Sequence, residues 1–248
     1  MSVSSTIEWT EATWNPTTGC HKISPGCQNC YAERFAERWR GIPGHPYEQG
    51  FDVKSWNERI AMPLSWKKPR LIFVNSMSDL FLDDISEEFI IKVFHVMKAA
   101  HWHQFQLLTK RPKRMLKISN CIKEWPTNVW AGVSIESQSW VWRSEILKEI
   151  PAKIRFLSCE PLLGSVKLGL HDIHWVIVGG ESGVGARPMN VEWVRDIREQ
   201  CIQGNVPFFF KQWGGVQKKK FGRELDGRTW NEFPEFTNRN NKSVSLLT

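Results

Sequence analysis

From residue 70 onward, short unbroken apolar runs alternate with stretches of helical period. The runs are Leu71-Ile72-Phe73-Val74, Phe105-Gln106-Leu107-Leu108, Val129-Trp130-Ala131-Gly132-Val133, Ile154-Arg155-Phe156-Leu157, Trp175-Val176-Ile177-Val178 and Pro207-Phe208-Phe209-Phe210. Between them, a helical pattern starts near Ser86-Glu87-Glu88 and carries Ile91, Phe94, Val96 and Met97. A basic helix follows Pro112, another runs to about Glu149, and a last one covers 191–203. Apolar runs of this length separated by helices predict parallel strands buried on both faces. The link 162–174 is short for a crossover helix and reads as irregular.

Each run ends in polar residues: Asn75-Ser76-Met77-Ser78-Asp79, Thr109-Lys110-Arg111, Ser134-Ile135-Glu136, Ser158-Cys159-Glu160-Pro161, Gly179-Gly180-Glu181-Ser182 and Lys211-Gln212-Trp213. In a (β/α) barrel the C-terminal ends of the strands share one rim, and that rim is the active-site face. An open doubly wound sheet also places ligands at its strand ends and stays as the alternative. The expectation is one α/β domain over 1–236, a partial (β/α) barrel of six or seven parallel strands. It carries a lid-like insertion at 41–69 with a short helix near Trp56. The chain turns basic from Lys218, and 237–248 form a polar tail.

The seventh strand is expected before the segment Gly19-Cys20-His21-Lys22-Ile23-Ser24-Pro25-Gly26-Cys27-Gln28-Asn29-Cys30-Tyr31, which concentrates three of the chain's six cysteines. An amphipathic helix with Phe35 and Trp39 follows and ends at Gly41 and Pro43. The start of the chain lacks a basic leader followed by an apolar core, and no run of 18 apolar residues exists, so neither a signal peptide nor a membrane-spanning helix is expected. The expected location is the cytoplasm, where thiols stay reduced and ligate metal or lie buried. Three cysteines spaced Cys-x6-Cys-x2-Cys suit a 4Fe–4S cluster with one iron left open. Cys-x2-Cys also serves as half of a zinc site, whose fourth ligand would be recruited from His21, His45, Cys121, Cys159 or Cys201.

Composition adds a bias toward anionic partners: the net charge is +7 across 248 residues, and 14 Trp stand against two Tyr. Most of the Trp are expected in the core, with base stacking as the other use. Glu160 and Glu181, at neighbouring strand ends, are also the pair a barrel glycosidase would need. Asp79 and Ser86 are candidates for capping helices instead of binding a ligand.

The cysteine loop after a first strand, with a partial barrel behind it, resembles the radical S-adenosylmethionine (radical SAM) superfamily. The usual superfamily spacing is Cys-x3-Cys-x2-Cys with an aromatic residue before the last cysteine; here the first gap is six and Asn29 holds the aromatic position. Asn75 to Phe81 and Leu108-Thr109-Lys110 resemble strand ends of its spore-photoproduct-lyase-like branch. The segments Trp14 to Cys20, Ser134 to Glu136, Ser158 to Pro161, Gly179 to Ser182 and Phe210 to Gly215 resemble phage- and prophage-associated three-cysteine-motif proteins, a group without assigned function.

The resemblance implies a 4Fe–4S cluster on Cys20, Cys27 and Cys30, with S-adenosylmethionine chelated at the open iron. A reducing electron donor would drive its cleavage to a 5′-deoxyadenosyl radical that abstracts a substrate hydrogen. It further implies cofactor contacts from Asn75, Ser76, Ser78 and Asp79, then Lys110, Ser134 and Glu136. Gly179-Gly180 comes too late in strand order to be the superfamily's glycine-glycine-glutamate element and reads as a glycine turn that brings backbone near the cofactor or substrate. Lys110, Glu160 and Glu181 are the candidate catalytic side chains. A nucleotide or nucleic-acid base, such as a modified base in phage DNA, is the expected substrate class. The alternatives are a non-catalytic, zinc-stabilised nucleic-acid-binding protein and a barrel hydrolase using paired carboxylates.

Overall fold

The structure is a computed structural model that describes residues 5–217 and 222–235. In chain order the elements are β1 (Ala12–Trp14), β2 (Thr17–Thr18), α1 (Tyr31–Glu37), β3 (Lys54–Ser55) and α2 (Asn57–Ile60). Then come β4 (Leu71–Val74), α3 (Glu87–Ala99), β5 (Gln104–Thr109), α4 (Pro112–Cys121), β6 (Val129–Ser134) and α5 (Trp142–Lys148). The chain continues with β7 (Arg155–Cys159), β8 (Trp175–Gly179), α6 (Val191–Gln203), β9 (Phe208–Gln212), β10 (Glu224–Leu225) and β11 (Arg228–Thr229).

Seven strands form one parallel sheet in the order β1-β4-β5-β6-β7-β8-β9, curled into a half-barrel. The partial (β/α) barrel expected from the apolar runs is therefore the fold, and the seventh strand is β1, ahead of the cysteine loop. Apart from β1, each strand pairs with its predecessor in the chain, so the order never reverses as a doubly wound sheet requires. Residues 162–174 link β7 to β8 without a helix. The insertion at 41–69 holds β3, α2 and a 3-10 turn at Met62–Ser65, and β3 pairs antiparallel with β2. The basic stretch at Lys218 and the tail 237–248 lie outside the described residues.

The two-residue period of a strand sorts the side chains into two cores. Ile72, Val74, Phe105, Leu107, Val129, Ala131, Val133, Leu157, Val176, Val178, Phe208 and Phe210 face outward and pack against the helices. Phe89, Val93 and Met97 of α3, Met115 and Ile118 of α4, and Val194 and Ile197 of α6 complete that layer. The alternate residues Leu71, Phe73, Trp130, Phe156, Trp175, Ile177 and Phe209 face inward with Trp9. Each fully buried Phe of this set contributes about 1.5–3 kcal/mol. Trp130 and Trp175 are fully buried here, as expected of most tryptophans, whereas Trp39 and Trp142 are exposed.

The helix termini follow from their sequences. Ser86 caps α3 by accepting from the Phe89 amide at 3.2 Å, and Asn190 caps α6 by accepting from the Glu192 amide at 2.9 Å. No helix among the described residues is long and apolar enough to cross a membrane.

Candidate active site

Carried past the end of each apolar run, the inward alternation reaches Asn75, Lys110, Ser134, Ser158, Glu160 and Lys211. All six line one cavity of about 490 Å³ above the aromatic floor. Cys20, Cys27 and Cys30 line the same cavity and are free thiols. The expected rim residues and the cysteine loop thus meet at one place.

Four carboxylates stand at this rim, each paired with a cation. Asp79 binds Arg111 at 3.0 Å, and Glu160 binds Lys211 at 2.6 Å. Glu136 binds Lys110 at 2.6 Å and Arg143 at 2.9 Å, and Glu181 binds Arg187 at 2.5 Å.

Three of these pairs also grip the cysteine loop. Arg111 reaches the Cys20 sulfur at 3.8 Å and donates to the His21 carbonyl at 2.9 Å. Ser24 donates to Glu136 Oε1 at 2.5 Å. Asn29 Nδ2 donates to Glu181 Oε2 at 2.9 Å, while Arg187 donates to the Pro25 carbonyl at 2.9 Å and to Gln28 Oε1 at 3.3 Å. The fourth pair, Glu160–Lys211, lines the cavity itself.

The loop lies close on its support because position 26 is glycine. A β-carbon there would stand 2.4 Å from Glu136 Cγ. Gly180 has the same necessity: a β-carbon would stand 2.0 Å from the Trp213 carbonyl oxygen, where the loops after β8 and β9 cross.

Several of the expected ligand contacts are also engaged within the protein, and Ser76, Ser78, Asp79 and Glu181 among them line the cavity. Glu136 is fully buried, with Oε1 taken by Ser24 and Lys110 and Oε2 by Arg143. Burial alone would raise its pKa, but the charges of Lys110 and Arg143 prevail and lower it. Asp79 accepts from Thr109 Oγ1 and from the amides of Phe81 and Lys110, fastening the end of β5 to the turn after β4. Ser78 bonds Thr17 at 2.6 Å, and Ser76 bonds Asn15 through its hydroxyl while its carbonyl accepts from Tyr31. Both oxygens of Glu181 are engaged by Arg187 and Asn29. Burial opposes its charge, yet hydrogen bonds from these two partners hold its pKa at about 2. Gly180 lines the cavity, and Gly179 packs under Glu160, whose carboxyl carbon would lie 3.3 Å from an added β-carbon.

Asn75 keeps an open group. It sits in the left-handed region at φ 61°, donates to Thr17 Oγ1 at 2.8 Å, and is buried. Its Oδ1 is buried without a hydrogen-bond partner among the described residues. A buried acceptor of this kind is costly unless a ligand supplies a donor.

The three thiols differ. Burial and the Asp79 charge push Cys20 up to about 12 against the pull of Arg111, and burial raises Cys30. Cys27 is half-buried, which alone would raise it, but the Lys110 charge and hydrogen bonds within the loop lower it. Among the described residues, no group of three His, Cys, Asp or Glu side chains stands close enough together to hold a single metal ion.

Sequence reasoning missed Ser24, Asn29, Arg143, Arg187 and Lys211 as site builders. Lys211 was marked by its place at a strand end. Asn29 was marked by its place between the cysteines, and Ser24 by its place beside Pro25-Gly26. Arg143 and Arg187 sit on a helix and in a loop and carry no comparable signal.

No curated protein matches the sequence. Solved structures with a similar fold include spore photoproduct lyase complexed with dinucleoside spore photoproduct, at 10% identity and TM-score 0.40, covering 74% of this chain and 58% of that one. A substituted spore photoproduct lyase matches at 12% identity and TM-score 0.44, covering 79% and 62%. Another, with bound AdoMet and dinucleoside spore photoproduct, matches at 10% identity and TM-score 0.41, covering 76% and 60%. The chain spans about three fifths of the length of these structures. A family model described as "Protein of unknown function (DUF5131)" matches residues 4–234, nearly the whole chain, and the chain belongs to that family.

Proposed function

We propose that this protein is a radical SAM-type enzyme holding a 4Fe–4S cluster on Cys20, Cys27 and Cys30. The observation that carries the reading is the meeting of three free thiols with the polar strand ends in one cavity. The donor set fits the group: cysteine thiolates are its usual ligands, and three leave one iron open to a small molecule. The chemistry such a group supplies when bound is reductive cleavage of S-adenosylmethionine, with one electron from a reducing donor, followed by hydrogen abstraction from a substrate.

The chain's own residues bind, orient and enclose. Arg111, Glu136 and Glu181 fix the loop at His21, Ser24 and Asn29, so the three cysteines are presented from a held backbone. Asn75 Oδ1 offers an acceptor for an amino group. Ser134, Ser158 and the Glu160–Lys211 pair supply polar contacts on the opposite strands. The floor of Trp9, Phe73 and Phe156 excludes water from below. The substrate class in this reading is a nucleotide or nucleic-acid base, supported by the net charge of +7.

A paired-carboxylate hydrolase needs both carboxyl groups turned to the substrate, whereas both oxygens of Glu181 are engaged by Arg187 and Asn29 and Glu160 is paired with Lys211.

Anaerobic reconstitution with iron and sulfide tests the proposal. Brown protein containing iron and sulfide, releasing 5′-deoxyadenosine from S-adenosylmethionine under reducing conditions, supports it. One zinc without iron or sulfide in protein purified without air, or loaded protein that releases none, overturns it.

A further inference from the structure

The helix that leaves the cysteine loop turns an aromatic face outward. Tyr31, Phe35 and Trp39 recur every fourth residue along α1 and the turn after it, and they are 51%, 43% and 37% exposed. Ala32 and Ala36 hold the opposite face of the helix against Phe51. Large aromatic residues on the outer face of a short helix contribute nothing to the core and cost solubility. The lid adds to this surface: Tyr47 meets Phe35 edge-on at 5.5 Å, and His45 stacks on Trp39 at 4.1 Å and 15°. Trp39 therefore already carries one flat heteroaromatic ring in parallel stacking. The surface is continuous with the cavity, because Tyr31 lines its mouth.

Over residues 21–60, which build this face and its surroundings, six Lys and Arg stand against five Asp and Glu. Three of the carboxylates are in ion pairs: Glu33 with Lys22 at 2.7 Å, and Glu37 and Asp52 with Arg40 at 2.6 and 3.0 Å. The cations left over are aimed at ring faces or at solvent. Lys54 and Arg59 lie 3.8 and 3.7 Å from the centre of the Trp56 ring, and Arg38 is exposed at the end of α1. Stackable rings, with Lys54 and Arg59 on the Trp56 ring and Arg38 exposed, on a chain of net charge +7, are the equipment of a surface for single-stranded nucleic acid.

We infer that the Tyr31–Phe35–Trp39 face, with His45 and Tyr47, stacks the bases of a single nucleic-acid strand whose neighbouring nucleotide occupies the cavity. This rests on the reading of the cavity under Proposed function and narrows its substrate class to a polymer, not a free nucleotide. Tyr31 and Phe35 lie one helical turn apart, about 6 Å along the axis, so successive rings can take successive bases of a partly extended strand.

The test is fluorescence anisotropy of a labelled single-stranded oligonucleotide with the full chain, read across a salt series and against a mononucleotide competitor. Binding should weaken as salt rises, and the mononucleotide should compete poorly. Both Phe35→Ala and Trp39→Ala should weaken binding by at least about fivefold, with Trp39→Phe retaining most of it. Both side chains are partly exposed, so the variants should keep the far-UV spectrum and melting temperature of the parent. Folded variants that bind the oligonucleotide as the parent does overturn the inference. So does a parent that binds none at low salt, or one whose aromatic face proves to mediate self-association lost in both variants. A parent that fails to bind while still taking up iron and releasing 5′-deoxyadenosine removes this surface and leaves the proposed function standing. A parent that binds but takes up no iron does the reverse.

Discussion

Ser24 and Glu136 stand 112 residues apart in sequence and are joined by a 2.5 Å hydrogen bond, which ties the middle of the cysteine loop to the strand end after β6. The same carboxylate neutralises Lys110 and the fully buried Arg143. Glu136→Gln would leave two cations short of their counter-charge, one of them with no access to water. Breaking a buried pair from one side costs about 3–5 kcal/mol, or roughly 6–20 °C in melting temperature at this size. Calorimetry or thermal circular dichroism reads this directly. A shift below about 2 °C would show that Glu136 is not the anchor described.

The six cysteines should separate cleanly by place. Cys20, Cys27 and Cys30 line the cavity, Cys121 is exposed on α4, and Cys159 and Cys201 are buried on the helix side of the sheet. Replacing any of the first three by alanine should abolish iron and sulfide uptake during anaerobic reconstitution. Cys121→Ser and Cys201→Ala should load as the parent does. Equal loss across all the variants would indicate adventitious iron.

Glu181 gives a pH signature. Its folded pKa is about 2, below the usual carboxylate value, so its stabilising contribution is full above the unfolded value near 4.5 and is lost as pH falls toward 2. Glu181→Gln should be less stable than the parent at neutral pH, and the gap should close between pH 4.5 and 2. Urea unfolding at several pH values measures it. A gap that stays constant through that window would place the effect of the substitution elsewhere.

Two glycines make a contrast. In Gly180→Ala the new methyl would meet a backbone oxygen at 2.0 Å, and such a clash should cost about 1–3 kcal/mol or more. Gly164→Ala meets only the Ser137 Cβ at 3.6 Å and should stay within about 0.5 kcal/mol of the parent. Chemical denaturation of both variants decides it.

The barrel was legible because its strands are buried on both faces, so Leu71 to Val74 or Trp175 to Val178 read as unbroken apolar runs ending in polar residues. Ser86 announced the start of α3 for an equally local reason. The division of labour at the rim was not legible. Asp79, Glu136 and Glu181 sit where ligand contacts are expected, and what commits them to Arg111, Ser24 and Asn29 is distance in space across up to 152 residues of chain. Arg187 looks like any loop arginine until the curl of the sheet brings it over Pro25. The tyrosine, phenylalanine and tryptophan of α1 showed a helical period, but which side faced outward depended on Phe51, which arrives from the lid.

Trp175 lies at the middle of the barrel floor, with Trp9 at 6.2 Å on one side and Phe233 at 4.9 Å on another, and its indole nitrogen donates to the Glu232 carbonyl at 2.7 Å. Rings from residues 9, 175 and 233 must come together, so during synthesis the floor stays incomplete until translation has passed residue 233. A nascent chain cut shortly before that point would hold most of its strands and still expose indole faces to solvent. Such contacts across the greatest sequence separations close late. Chaperone demand should therefore fall only once Phe233 has emerged and closed the floor.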